Sequence, residues 1–218
     1  MQRDAHLERL DRLTGLLAIM SRAVVTTVRH ASTALLETDG HAVQAALDGH
    51  AEICRLHQQI EDAIPVLLAR DQPVASDLRL VLAAVRMNSD MSRMGALARH
   101  VAEIASAHLP GSALPPAAAP IMATMAAAAA TMADKSAVVL ATRDPIDAMQ
   151  LGLDDDIADA LVRDLFALVT GGDWTYGTRA AIDLAMLGRF YERFADHAVS
   201  IAEQVVYVVT GENRTVPS

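Results

Sequence analysis

Arg189-Phe190-Tyr191-Glu192-Arg193-Phe194-Ala195-Asp196-His197 is the stretch on which the reading of the fold turns. It lies near the end of a long run whose apolar residues recur every three or four positions, the period of an α-helix. One hundred residues earlier stands a weaker echo, Ser89-Asp90-Met91-Ser92-Arg93-Met94-Gly95-Ala96-Leu97. In that register Arg93 falls on Arg193, Ala98 on Ala198, Ala102 on Ala202 and Glu103 on Glu203; upstream, Arg79 falls on Arg179. The copies differ at one chemically telling pair, because Glu192 and Asp196 become Ser92 and Ala96. Residues four apart project from the same face of a helix, so this pair presents two carboxylates together. A duplicated helical unit with the pair in one copy points to a metal or ion site kept in the second half.

The helical period extends through almost the whole chain, and no alternating strand pattern interrupts it. Breaks fall at Thr38-Asp39-Gly40, Asp71-Gln72-Pro73, His108 to Pro116, Arg143-Asp144-Pro145 and Gly171-Gly172-Asp173. Six long helices are therefore expected, at roughly 3–37, 41–70, 74–107, 117–142, 145–170 and 177–210. Asp39 matches Asp144 at an offset of about 105, each opening a second helix, and Leu35 and Leu56 then fall on Leu140 and Leu161. The expected fold is all-α: a tandem repeat of two three-helix bundles, residues 1–107 and 117–212, joined by a Pro-rich linker at 108–116.

Composition narrows the function classes. The 218 residues carry a net charge of −9, which argues against nucleic-acid binding, since that calls for a basic stripe. Aromatic residues make up only 3% of the chain, so the helices must pack through Ala, Leu, Val and Met, with Met87, Met91 and Met94 as one core stripe. The single Cys54 excludes an internal disulfide and fits a reducing compartment. The N-terminus alternates charges and lacks the apolar core of a signal peptide. Leu109 to Ala133 carries no charge, but it holds four prolines and is otherwise mostly Ala, which partitions weakly into lipid. A soluble, cytoplasmic protein is expected.

The chemistry rests on acidic positions. Asp155 and Asp159 form a second pair four apart on the fifth helix, and antiparallel packing would set them opposite Glu192 and Asp196. Four converging carboxylates repel one another unless a cation sits between them. All-oxygen ligation suits Mg²⁺, Mn²⁺ or iron. The plainer reading leaves these residues solvated or paired with Arg163 or Arg193. In the first half His50 and Cys54 stand where Asp155 and Asp159 do. Two ligands do not make a zinc site, and a packed Cys54 beside a partly exposed His50 is expected. His197 follows Asp196 by 100° around the helix; plain packing is the default expectation, with orienting a ligand or joining an interhelical hydrogen bond as the alternatives. The arginine pairs Arg79/Arg179 and Arg93/Arg193 are expected to bridge helices through carboxylates rather than bind phosphate.

Gln72-Pro73-Val74-Ala75-Ser76-Asp77-Leu78-Arg79, Tyr191-Glu192-Arg193-Phe194-Ala195-Asp196-His197, Ile201-Ala202-Glu203 and Tyr207-Val208-Val209-Thr210-Gly211-Glu212, in this order on a duplicated three-helix scaffold, resemble the PhoU family of bacterial phosphate-transport accessory proteins. The resemblance covers nearly the whole chain. It implies a cytoplasmic, non-enzymatic regulator that couples a phosphate-specific ABC transporter, through its ATPase subunit, to a sensor histidine kinase. Such regulators repress the phosphate-starvation response, restrain phosphate uptake and often form homodimers. It also implies a surface metal site (Fe, Mn, Mg or Zn) on carboxylate motifs. Here that motif is intact as Glu192 and Asp196, with Asp155 and Asp159 as partners, and broken at Ser92 and Ala96, so one metal site at most is expected. Ser200 stands where the family commonly has Asn.

Two other classes compete for the same residues. A ferritin-like di-metal carboxylate enzyme needs Glu-x-x-His on two helices, and none of the eight Glu residues has His three positions later. A metal-free helical adaptor, with another partner set, fits the same residues without the cation.

Overall fold

The turn after the first helix and the turn after the fourth are built alike. Thr38 and Arg143, 105 residues apart, both adopt left-handed backbone, at φ 58° and 56°. The following residues, Asp39 and Asp144, each accept a hydrogen bond from the backbone N–H two positions on, His41 and Ile146, at 2.8 Å in both cases. A carboxylate there satisfies a helix-start amide that has no intrahelical partner. Pro145 then occupies the first helical position, where its missing N–H costs nothing.

The computed structural model describes residues 2–153 and 156–212. Its elements are α1 (Gln2–Glu37), α2 (Gly40–Asp71), α3 (Ser76–His108), α4 (Ala119–Thr142), α5 (Pro145–Leu153), α6 (Asp156–Thr170) and α7 (Gly177–Thr210). All regular structure among the described residues is helical, as expected. One expected helix, 145–170, is described as α5 and α6, with residues 154 and 155 outside the description. No helix among the described residues is long and apolar enough to cross a membrane.

The two halves share one core rather than standing apart. α1 packs on α2 and α3 and also on α4, while α3 lies along α7 and α4 against α7. α2 covers the first side of this four-helix middle, and α5 and α6 cover the second. The connecting stretch is drawn in, since Ala113, Leu114 and Ala118 are buried. Met87, Met91 and Met94 are all buried, as the stripe predicted. Between α1 and α7 the Ser32 and Tyr191 hydroxyls share a buried hydrogen bond of 3.0 Å. Burial pushes the Tyr191 hydroxyl up to about 12, with the Ser32 bond pulling the other way.

The N-terminal turns are clasped to the α2–α3 turn. Arg9 Nε donates to Asp71 at 2.7 Å, and His6 lies 3.2 Å from Asp71 and 3.0 Å from Asp77. The Arg9 bond, followed by His6, holds the Asp71 carboxyl at about 2, and the bonds to Asp77 and Asp71 raise His6. The carboxylate supports the fold above its ordinary value of 3.8 and loses that support as pH falls towards 2. The imidazole supports it below 6.5 and loses that support as pH rises through its raised value. The clasp therefore holds best in the window between 3.8 and 6.5.

α2 approaches α1 closely at Gly49, where an added Cβ would stand 2.4 Å from Thr27 Oγ1 and 3.3 Å from Thr27 Cβ. Thr27 is fully buried, and its hydroxyl is committed to the Ala23 carbonyl at 2.7 Å. Gly49→Ala is therefore expected to destabilise the protein by about 1–3 kcal/mol, despite the better helix propensity of Ala. Urea denaturation read by circular dichroism checks this, and an unchanged or higher midpoint would refute the close contact.

Candidate functional site

α7 presents two chemically distinct faces near its middle, because positions three to four apart share a face while neighbours diverge by 100°. Glu192 and Asp196 lie on one face, towards α6. Arg193, His197 and Phe190 lie on the other, towards α3. Arg189 stands between them and forms an ion pair with Glu192 at 2.5 Å.

On the acidic face the structure brings three of the four expected carboxylates into electrostatic reach. The Asp196 carboxyl is raised first by lost hydration and next by the Glu192 charge; Arg189 and His197 oppose this, and Asp159 adds to it. Asp159 on α6 thus acts on Asp196 through its charge. Asp155 lies outside the described residues. Among the described residues no three His, Cys, Asp or Glu side chains stand together as a metal-binding group. Glu192 is turned towards Arg189 instead.

The equivalent face of the first half carries different chemistry. The Cys54 sulfur lies 3.6 Å from His50 Nε2. Contrary to expectation Cys54 is exposed, because Ile53, Leu56 and Ile60 form the buried stripe of α2 and Cys54 falls beside it. His50 is half-buried, and lost hydration, followed by the Arg99 guanidinium, lowers its pKa.

α3 and α7 run antiparallel, since contacts rise along one as they fall along the other. Arg86 donates to Gln204 at 3.3 Å, Asp90 meets Ser200 and His197, His100 meets Phe190, and His108 meets Asp183 at 2.9 Å. Ser200 donates to Asp90 at 2.8 Å, and His197 Nδ1 lies 3.0 Å from the other Asp90 oxygen. His197 thus takes the interhelical hydrogen bond, and Ser200 supports the same carboxylate. Shifting Asp90–Ser200 by one repeat gives Phe190–His100, and those rings stack at 5.2 Å between centroids and 26° between planes. The duplication is therefore a local two-fold relation between α3 and α7.

Among the described residues the arginine pairs show no carboxylate bridge between helices. Arg179 meets Asp183 within its own helix at 3.9 Å, and Arg79 lies against Gly211. Arg93 and Arg193 make no side-chain hydrogen bond or ion pair with any described residue. Bridging positions are taken by His197, His108 and their aspartates, which leaves Arg93 and Arg193 exposed at the α3–α7 crossing.

A family model described as the PhoU domain matches the chain twice, over residues 17–105 and 122–205. The chain belongs to the PhoU family. Among its relatives, a protein of Mycobacterium tuberculosis named phosphate-specific transport system accessory protein PhoU homolog 1 is 38% identical over 209 residues, covering 96% of this chain and 95% of the relative. Homolog 2 of the same organism is also 38% identical, covering 96% and 98%. The PhoU crystal structure from Pseudomonas aeruginosa superposes with a TM-score of 0.83 at 24% identity, covering 94% of this chain and 99% of that one. The two matched segments of the PhoU domain coincide with the two halves seen in the fold, the second spanning α4 to α7.

Asp90 is the residue of this PhoU chain that spacing alone did not single out. Its signal was its place in the echo opposite Phe190, since a carboxylate replacing an aromatic ring at a packed repeat position needs donors nearby. The acidic face carries a test of its own. A raised Asp196 favours folding only while protonated, so its contribution is present below 3.8 and lost as pH rises through the raised value. At neutral pH the ionised group opposes folding. Asp196→Asn is expected to raise the denaturation midpoint of chelator-treated protein at about pH 7, with the gain shrinking towards about pH 4; a midpoint lowered at neutral pH would show that the carboxylate is held by a partner instead.

Proposed function

We propose that this chain is a cytoplasmic, non-enzymatic regulator of phosphate homeostasis. In this reading it couples a phosphate-specific ABC transporter, through the ATPase subunit, to a sensor histidine kinase, represses the phosphate-starvation response and restrains uptake. The observation that carries it is end-to-end identity of 38% with proteins named as accessory to phosphate-specific transport. The surface supports docking rather than catalysis. Long helices leave exposed apolar side chains in helical register, Leu78, Leu82 and Val85 on α3 with Ile182 and Met186 on α7. Such faces suit helix-on-helix contact with a partner or a second copy. A strain lacking all its PhoU-family genes, given this chain, is expected to regain repression of a phosphate-starvation reporter in high phosphate. A reporter that stays derepressed while the chain accumulates normally would overturn the reading.

A metal at Asp155, Asp159, Glu192 and Asp196 belongs to the same proposal, at one site at most. The fit is partial. Asp196 is raised by lost hydration first and by the Glu192 charge next, and hard carboxylate oxygens of this kind are the donors that Fe, Mn, Mg or Zn take. Glu192 must leave Arg189 to join them. That ion pair favours a second reading, a metal-free adaptor in which the arginine neutralises the face. Elemental analysis of untagged protein purified without chelator decides between them. Stoichiometric metal that disappears in Glu192→Ala/Asp196→Ala is expected, and none in the parent protein would leave the adaptor.

A further inference from the structure

The α3–α7 crossing opens a cleft of about 480 Å³ on the surface of this acidic protein. Arg93 and His100 line it from α3, and Arg189, Arg193 and His197 line it from α7. No carboxylate is among its lining residues. Three of those side chains already have partners: Arg189 pairs with Glu192, His197 with Asp90 and His100 with Glu103. Arg93 and Arg193 have none among the described residues, and they are repeat equivalents that line the same cleft, one from α3 and one from α7. Unpaired like charges sharing one cleft repel, and in a chain of net charge −9 nothing else in this cleft neutralises them. One wall is apolar, formed by Phe190, stacked on His100, and Met186.

We infer that this cleft binds a ligand through a phosphoryl group held between Arg93 and Arg193. The planar guanidinium fork matches the paired oxygens of a phosphoryl group, and two forks converging from opposite helices surround a tetrahedral anion better than a flat carboxylate. The cleft is larger than an inorganic anion needs, and the aromatic pair offers a surface for a flat organic body. The phosphoryl group can therefore arrive as free inorganic phosphate or on a nucleotide. The inference stands apart from the carboxylate face and from the regulatory reading, because it concerns binding by the isolated protein.

The test is isothermal titration of the full chain, treated with chelator, at low salt and neutral pH. Inorganic phosphate, ADP and adenosine are the three probes. Saturable binding of phosphate, ADP or both is expected, with none for adenosine. ADP binding well above phosphate assigns the ligand to the nucleotide class, and equal binding assigns it to the free anion. Arg93→Ala/Arg193→Ala is expected to weaken binding at least about tenfold, since each lost contact is a charge-assisted hydrogen bond. Arg93→Lys/Arg193→Lys is expected to fall between, because lysine keeps the charge and loses the fork. Arg22→Ala, a surface arginine on α1, is expected to change nothing. Both double variants replace exposed side chains, and unchanged helicity confirms that they fold. The inference is overturned if neither phosphate nor ADP saturates, or if the double alanine variant binds as tightly as the parent.

Discussion

The antiparallel seating of α3 on α7 is the constraint on which the rest depends. A duplicated three-helix unit has one helix per half to offer its copy, and the third helices meet with the local two-fold between them. Close approach requires small side chains at the crossing, and those are what the two copies keep in common. Ala98 and Ala198, and Ala102 and Ala202, match at the 100-residue offset, and all four are buried. The two alanine identities of the repeat are thus packing identities, whereas Arg79, Arg93 and Glu103 recur outside the core. α1 reinforces the joint by reaching α4 and by its buried Ser32–Tyr191 bond, so neither half has a finished core alone.

A two-fold relation between unlike sequences turns equivalent positions into different chemistry. The same register holds an aromatic stack at His100–Phe190 and a hydrogen-bonded carboxylate at Asp90–Ser200. The carboxylate is largely withdrawn from water, where an unmatched charge would be strongly destabilising, and His197 and Ser200 supply a donor to each oxygen. The stack needs no such matching and leaves its side of the crossing open, which is where the cleft lies. The acidic face is asymmetric in the same way: Glu192 and Asp196 stand where the first copy has Ser92 and Ala96, while Ala98 and Ala102 keep their packing partners in the register.

Much of the fold was legible because its boundaries are written in local chemistry. Asp39 and Asp144 cap the helices they precede, and the expected ends of the first three helices agree with the structure to within two residues. The 105-residue offset proved to be physical, down to matching left-handed residues at 38 and 143. Cys54 was misplaced by residue type, since cysteine is usually buried, although the Ile53–Leu56–Ile60 stripe would have put it outside. Long-range polar contacts were not legible. Nothing local announces that His6 meets Asp71 and Asp77, or that Asp90 rather than a glutamate partners His197. The candidate site was legible in residue type alone: Asp159 acts on Asp196 through its charge, Arg189 takes Glu192, and no three His, Cys, Asp or Glu side chains stand together among the described residues.

Arg189 is where the two faces of α7 meet. Its guanidinium carries five N–H donors in a plane, enough to hold one carboxylate and still border the cleft. While Glu192 accepts from it, one of the three arginine charges of the cleft is neutralised locally. The field there then comes chiefly from Arg93 and Arg193. The same pairing relieves part of the repulsion felt by Asp196. A side chain that neutralises one face therefore weakens the charge of the other, and the acidity of the first half-turn and the basicity of the next are not independent properties. On a helix that also carries the packing of the two repeats, such sharing is unavoidable, because residues that face away from α3 and residues that face towards it are only one position apart.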